Sequence, residues 1–113
     1  MKYKTPTSVA SLIGLIRRNE DRSEPYCIYG EGDSAEATLS SICFIENHPE
    51  VTDDYEEIYP QFVNDNNLEL RFKEELVQDV VANALHQDPN VSDATILEAI
   101  KHYDEMDSFM NLT

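Results

Sequence analysis

Asp53, Asp54, Glu56 and Glu57 surround Tyr55 and lead to Tyr59, the densest grouping in the chain of side chains able to do chemistry. Clustered carboxylates can serve acid–base catalysis, hold a divalent cation, or meet Lys and Arg on a partner. The calcium-loop pattern D-x-[DN]-x-[DN]-G is absent here, and Glu31, Gly32, Asp33 and Glu36 do not restore it. For partner recognition, tyrosines supply rigid contact area and the carboxylates around them meet cations across the interface. The expected contact set is Asp53, Asp54, Tyr55, Glu56, Glu57 and Tyr59, with Glu31, Asp33 and Glu36 as a second segment. The alternative is that both are solvated loops. A third group, Asp104, Glu105 and Asp107, lies near a helix end, where negative charge opposes the macrodipole.

The remaining chemical side chains point away from catalysis. His48, His86 and His102 have no Cys or His at a metal-ligand spacing, and a zinc site needs about four converging ligands. Cys27 and Cys43 each sit in an apolar run of a negative chain, where burial and negative potential both raise a thiol pKa and suppress reactivity. They are expected as reduced, buried structural thiols, with a disulfide between neighbouring strands as the alternative. The chain has no GxSxG or HExxH, and its three glycines form no phosphate-cradling loop. No catalytic, cofactor-binding or metal-binding residue is assigned, and no cofactor is expected.

Net charge narrows the partner. The 113 residues carry 23 acidic and 8 basic side chains, a formal charge of −15. Nucleic-acid binding runs on Lys and Arg, and anionic lipid repels such a chain, so neither nucleic acid nor membrane is expected. A basic protein is the natural counterpart, because opposite fields accelerate encounter and set orientation. Plain solubility is the other reading of the same charge. Lys2 and Lys4 precede the run Val9 to Ile16, but Ser11 and Gly14 interrupt it and it leads straight into Arg17 and Arg18 without a cleavage site. A cytoplasmic protein is expected.

These side chains must be positioned by one α+β domain spanning 1–113. Ser8 is placed to cap a helix over 8–19, with Val9, Leu12, Ile13 and Ile16 on one face. Tyr26–Tyr29 reads as a short strand stopped by Gly30, and Thr38–Ile45 as a central strand. Residues 46–57 read as a long acidic loop, a candidate site on length alone. Pro60 opens a short helix carrying Phe62 and Val63. Leu68, Leu70 and Phe72 alternate with Glu69 and Arg71, the period of a half-buried strand. A helix follows over 73–87, its apolar face holding Leu76, Val77, Val80, Val81, Ala84 and Leu85. Ser92 caps the last helix, with Val91 and Ile96 as a hydrophobic staple. The expected order is α-β-β-(α)-β-α-α, about three strands packed against three to four helices, with Phe109, Met110 and Leu112 tucked against the core.

In size, acidity and pattern the chain resembles the small acidic immunity proteins of bacterial toxin systems, particularly those of contact-dependent growth inhibition. The resemblance rests on the N-terminal amphipathic helix, the strand around Ile42, Cys43, Phe44 and Ile45, the acidic loop to Tyr59, and the last helix ending in Tyr103 and Asp104 before the Phe109 tail. It implies a cytoplasmic protein that neutralises a cognate basic toxin domain, often a nuclease, by direct binding. The chain would act as a monomer or weak homodimer. The alternative is a small acidic homodimeric regulatory or adaptor protein, with Phe109, Met110 and Leu112 at a subunit interface.

Overall fold

A computed structural model describes residues 3–20, 26–32 and 36–112. Ser8 ends a two-residue strand, β1 (Thr7–Ser8), and begins a helix, α1 (Val9–Arg17). Its Oγ accepts the Ser11 N–H at 3.1 Å, satisfying a donor that the first helical turn leaves open. Val9, Leu12, Ile13 and Ile16 form the buried face, as their spacing predicts. The chain continues through β2 (Cys27–Gly30), β3 (Ile42–Glu46), β4 (Glu50–Val51), β5 (Glu57–Ile58), α2 (Gln61–Asp65), β6 (Glu69–Lys73), α3 (Glu74–Gln87) and α4 (Asp93–Met106).

The fold is α+β. One antiparallel sheet has the order β1-β3-β2-β6, and a separate hairpin pairs β4 with β5. Within that class three details differ from expectation. The sheet has four strands because β1 pairs with β3, Thr7 opposite Cys43 and Ser8 opposite Ile42, and two residues are too few to show an alternating pattern. The acidic stretch after β3 contains the β4–β5 hairpin instead of running unstructured. β3 also begins at Ile42, because the Ser41 N–H bonds the Thr38 carbonyl and the Thr38 N–H bonds Ser41 Oγ, closing a turn over 38–41.

The sheet separates two apolar clusters. Ile28, Cys43, Ile45 and Phe72 face α1, α3 and α4 in the main core. Cys27, Tyr29, Phe44 and Leu70 face the other way, covered by Tyr59, Phe62, Val63 and Leu68. Phe44 and Phe62 meet edge-on with centroids 5.5 Å apart. Helix contacts fix the main layer. Ser92 Oγ accepts the Thr95 N–H, Val91 and Ile96 are both buried as a staple, and Arg17 bonds the Val91 carbonyl and pairs with Asp93 at 3.2 Å. The Gln87 side chain clasps the tail, donating to the Met110 carbonyl and accepting from the Leu112 N–H, so Met110 and Leu112 pack on the core.

A one-residue irregularity in β6 decides which of its side chains face the helices. Ile28 pairs with Phe72 while Tyr29 pairs with Leu70, so Arg71 is an extra residue opposite a single step of β2. Leu70 therefore faces the outer cluster and Phe72 the helices, whereas simple alternation places both on one side. Arg71 is consequently buried rather than solvent-facing. Its side chain crosses Gly30, where an added Cβ would stand 2.8 Å from Arg71 Cδ and 3.0 Å from Cζ. Directly after β6, Glu74 is also buried although helical periodicity places it on the polar face. Its carboxylate accepts the Tyr26 N–H at 2.9 Å, tying α3 to the start of β2 at the helix end that favours negative charge.

The crossing at Gly30 is testable by a double-mutant cycle in urea. Gly30→Ala is expected to destabilise the chain by about 1–3 kcal/mol through overpacking, and most of that cost should vanish in an Arg71→Met background; equal costs in both backgrounds would place Arg71 elsewhere.

Candidate functional site

The hairpin is built from its turn outward. Thr52 and Glu56 close it, with the Thr52 N–H bonding the Glu56 carbonyl at 2.9 Å and the Glu56 N–H reaching Thr52 Oγ1 at 3.1 Å. The Tyr55 N–H bonds the Thr52 carbonyl, and Tyr55 itself is left-handed at φ 63°. This is a three-residue connection of a β-turn followed by one left-handed residue, a position that favours glycine. A tyrosine there costs about 1–2 kcal/mol of backbone strain. Its side chain gains nothing locally, since Tyr55 is 89% exposed.

Two hairpin neighbours are similarly uncovered, Val51 at 63% and Ile58 at 53%. Glu50, Asp53, Asp54, Glu56 and Glu57 are all exposed among them. The segment 50–58 therefore presents five carboxylates and three apolar side chains to solvent without a Lys or Arg. An isolated two-stranded hairpin is marginal in water, so its ends must be tied to the body. At the outgoing end, Tyr59 is half-buried, meets Tyr29 edge-on at 6.2 Å, and donates its hydroxyl to Glu57 at 2.6 Å. At the incoming end, the Tyr29 hydroxyl donates to the Asn47 carbonyl and the Asn47 N–H bonds Glu46 Oε1.

The structure thus separates the roles of the residues expected at the site. Asp53, Asp54, Tyr55 and Glu56 form the projecting tip. Glu57 and Tyr59 form its anchor, each engaging the other. Glu31 and Glu36 are exposed in the connection between β2 and β3, at the opposite end of β3 from the segment leading to the hairpin. Asp33 lies outside the described residues. Asp104, Glu105 and Asp107 are exposed around the end of α4, where Asp107 caps the helix in a left-handed conformation.

A family model described as a domain of unknown function, DUF7716, matches residues 9–112. The chain belongs to that family. The match runs from α1 to the tail, so the hairpin and the Arg71 irregularity both lie within the family domain. No curated protein and no solved structure matches the chain. No helix among the described residues is long and apolar enough to cross a membrane.

Arg71 is the residue that sequence reasoning missed. Alternation of Leu68, Leu70 and Phe72 places it on the solvent side, and a bulge leaves no pattern in five residues; the nearest signal was Gly30, a strand-terminal glycine whose missing side chain leaves room for a neighbour. Beside Arg71, Cys43 is free and buried, its thiol pushed up to about 11 by burial and drawn partly back by the guanidinium. Burial likewise raises the Cys27 thiol and the Tyr29 phenol. Tyr59 is raised chiefly by its hydrogen bond to Glu57, which needs the phenolic proton.

Tyr55→Gly is expected to keep the fold and raise unfolding free energy by up to about 1 kcal/mol by relieving the left-handed strain; a fall by that amount in urea denaturation would show that the ring is held in place. The raised thiols set a pH dependence as well. The unfolded chain gives up the Cys43 proton near the ordinary 9.0 and the folded chain only near 11, so stability is full below pH 9 and falls by up to about 1.4 kcal/mol per pH unit across that window. In Cys43→Ala the fall should be shallower, measured as the denaturation midpoint against pH.

Proposed function

We propose that this domain works as a non-enzymatic binding protein whose β4–β5 hairpin engages a basic protein partner. The observation that carries this reading is the tip itself: a strained, almost fully exposed Tyr55 flanked by Asp53, Asp54 and Glu56 and bordered by uncovered Val51 and Ile58. Backbone strain held at a residue whose side chain is solvent-exposed has no use within the fold, and residues kept in such conformations cluster at functional sites such as ligand clamps. Exposed apolar groups ringed by charge of one sign suit an interface with an aromatic anchor and a complementary rim. The −15 charge accelerates encounter with a cationic surface.

The resemblance to immunity proteins gives this reading its concrete form. A cytoplasmic partner that neutralises a basic, nuclease-type toxin domain would use the hairpin to occupy a cationic cleft, with Tyr55 as the anchor. A homodimeric adaptor would instead need the C-terminal apolar residues at a subunit interface. Met110 and Leu112 are already used within the chain, and Phe109, though 46% exposed, packs at a tilt against Tyr103 with centroids 4.9 Å apart.

The test is affinity capture from the source cell at about 0.05 M and then about 0.5 M salt, with identification of what is retained. A single basic protein held at low salt and released at high salt is expected. The variant carrying D53N, D54N, E56Q and E57Q should bind it at least about tenfold more weakly, mostly through slower association. Co-expression should abolish that partner's toxicity. Unchanged binding by the neutralised variant at both salt concentrations would remove the hairpin from the interface.

A further inference from the structure

Arg71 is 9% exposed, in a chain with an excess of carboxylates, and its Nε and Nη1 atoms have no hydrogen-bond partner among the described residues. Its one hydrogen bond among the described residues runs from Nη2 to the backbone carbonyl of Glu31. A neutral carbonyl does not compensate a desolvated cation. Buried charges are paired or bound to something, because leaving one alone is among the most costly arrangements a fold can hold. Cys43 beside it carries no countercharge, since burial keeps the thiol protonated.

The residue is not sealed within the core, although Nε and Nη1 themselves are shielded from solvent and reach a ligand only when the side chain turns. Together with Glu31, Ser41, Ile42 and Phe44, Arg71 lines an open cavity of about 440 Å³ at the end of β2 and β3. That volume lies within the range of small-molecule sites. Ser41 is part of the same wall, its Oγ accepting the Thr38 N–H and keeping its own proton to donate, and Ile42 is half-exposed there. Gly30, having no side chain, leaves the room that Arg71 needs to turn.

We propose that Arg71 is the anion-recognition residue of a binding site for a monocarboxylate with an apolar body, seated in this cavity. The carboxylate replaces the Glu31 carbonyl and pairs with the planar fork of the guanidinium, whose two-donor edge matches its two oxygens. Ser41 donates a further hydrogen bond, and the apolar body lies along Ile42 and Phe44. A single negative charge is selected, because Glu31 stands at the rim and the −15 field opposes a dianion such as a phosphate monoester. The acid is either a free small molecule or the terminal carboxylate of a peptide, and both present the same group. The site is independent of the hairpin, so the two readings fail separately.

The experiment follows the Arg71 Nε–H and the Ile42 and Phe44 amides of the full, ¹⁵N-labelled chain by NMR at about 0.15 M salt, where long-range repulsion is screened. Three probes are titrated: phenylacetate, its uncharged analogue phenylacetamide, and an acetylated tripeptide ending in phenylalanine with a free carboxylate. Saturable shifts at all three residues with phenylacetate, and at least about tenfold weaker binding of the amide, are expected. Tighter binding of the tripeptide than of phenylacetate assigns the carboxylate to a chain terminus, and the reverse assigns it to a free acid. Arg71→Met should abolish the response without lowering the denaturation midpoint, since replacing a buried charge by an apolar side chain is commonly neutral or stabilising. If that variant does not fold, Ile42→Glu, at an exposed position, places a carboxylate at the cavity and should abolish it instead. The proposal is overturned if no resonance moves by tens of millimolar phenylacetate, if the amide binds as well, or if the folded variants still respond.

Discussion

Arg71 is an extra residue in β6 whose side chain lies across Gly30, and that insertion, more than the arginine's own side chain, sets the two-sided arrangement of the sheet. Side chains alternate along a strand, so one inserted residue reverses the face of everything after it. Leu70 consequently joins Tyr29 and Phe44 on the outer face while Phe72 joins Ile28 and Ile45 under the helices. Without the insertion, Leu70 and Phe72 would compete for one side and leave the other short of apolar surface. Gly30 is the enabling residue, since any side chain there would occupy the path of the arginine.

The outer face explains why a hairpin can project from so small a domain. Tyr29 works on that face twice, packing against Tyr59 and bonding the Asn47 carbonyl, and so holds both ends of the segment that carries β4 and β5. The hairpin gains its order from these anchors and from the Thr52 turn, not from burial of its own side chains. Val51, Tyr55 and Ile58 are thereby left free, and their exposure is a stability cost that the fold tolerates only because the main core beneath α1, α3 and α4 is extensive.

Charge acts on two scales in this molecule. Over its surface the excess of carboxylates sets a long-range field that favours cationic partners. Close to, three charged side chains among the described residues leave water and take roles that the field does not describe, Glu46 accepting the Asn47 N–H and lying 3.9 Å from Lys4. Glu74 links α3 to β2 through the Tyr26 N–H, and Arg71 brings its guanidinium to a cavity wall. Net charge sets only the first scale, whereas burial and partner geometry decide the second.

The helices, the central strand, the Ser8 and Ser92 caps and the acidic character of 50–57 were legible from residue order alone, because each rests on neighbours within a few positions along the chain. The same holds for the α+β class and for Cys27 and Cys43 as buried thiols. What residue order could not decide depends on pairing between distant segments. β1 exists only because β3 lies beside it, and the acidic run is tied down at both ends only because Tyr29, on another strand, meets Tyr59 and bonds the Asn47 carbonyl. Tyr59 anchors while Tyr55 projects, although both are tyrosines in the same acidic setting, because only Tyr59 meets Tyr29. Arg71 enters the interior because β6 gains a residue relative to β2, a relation between two strands about forty residues apart that neither strand records by itself.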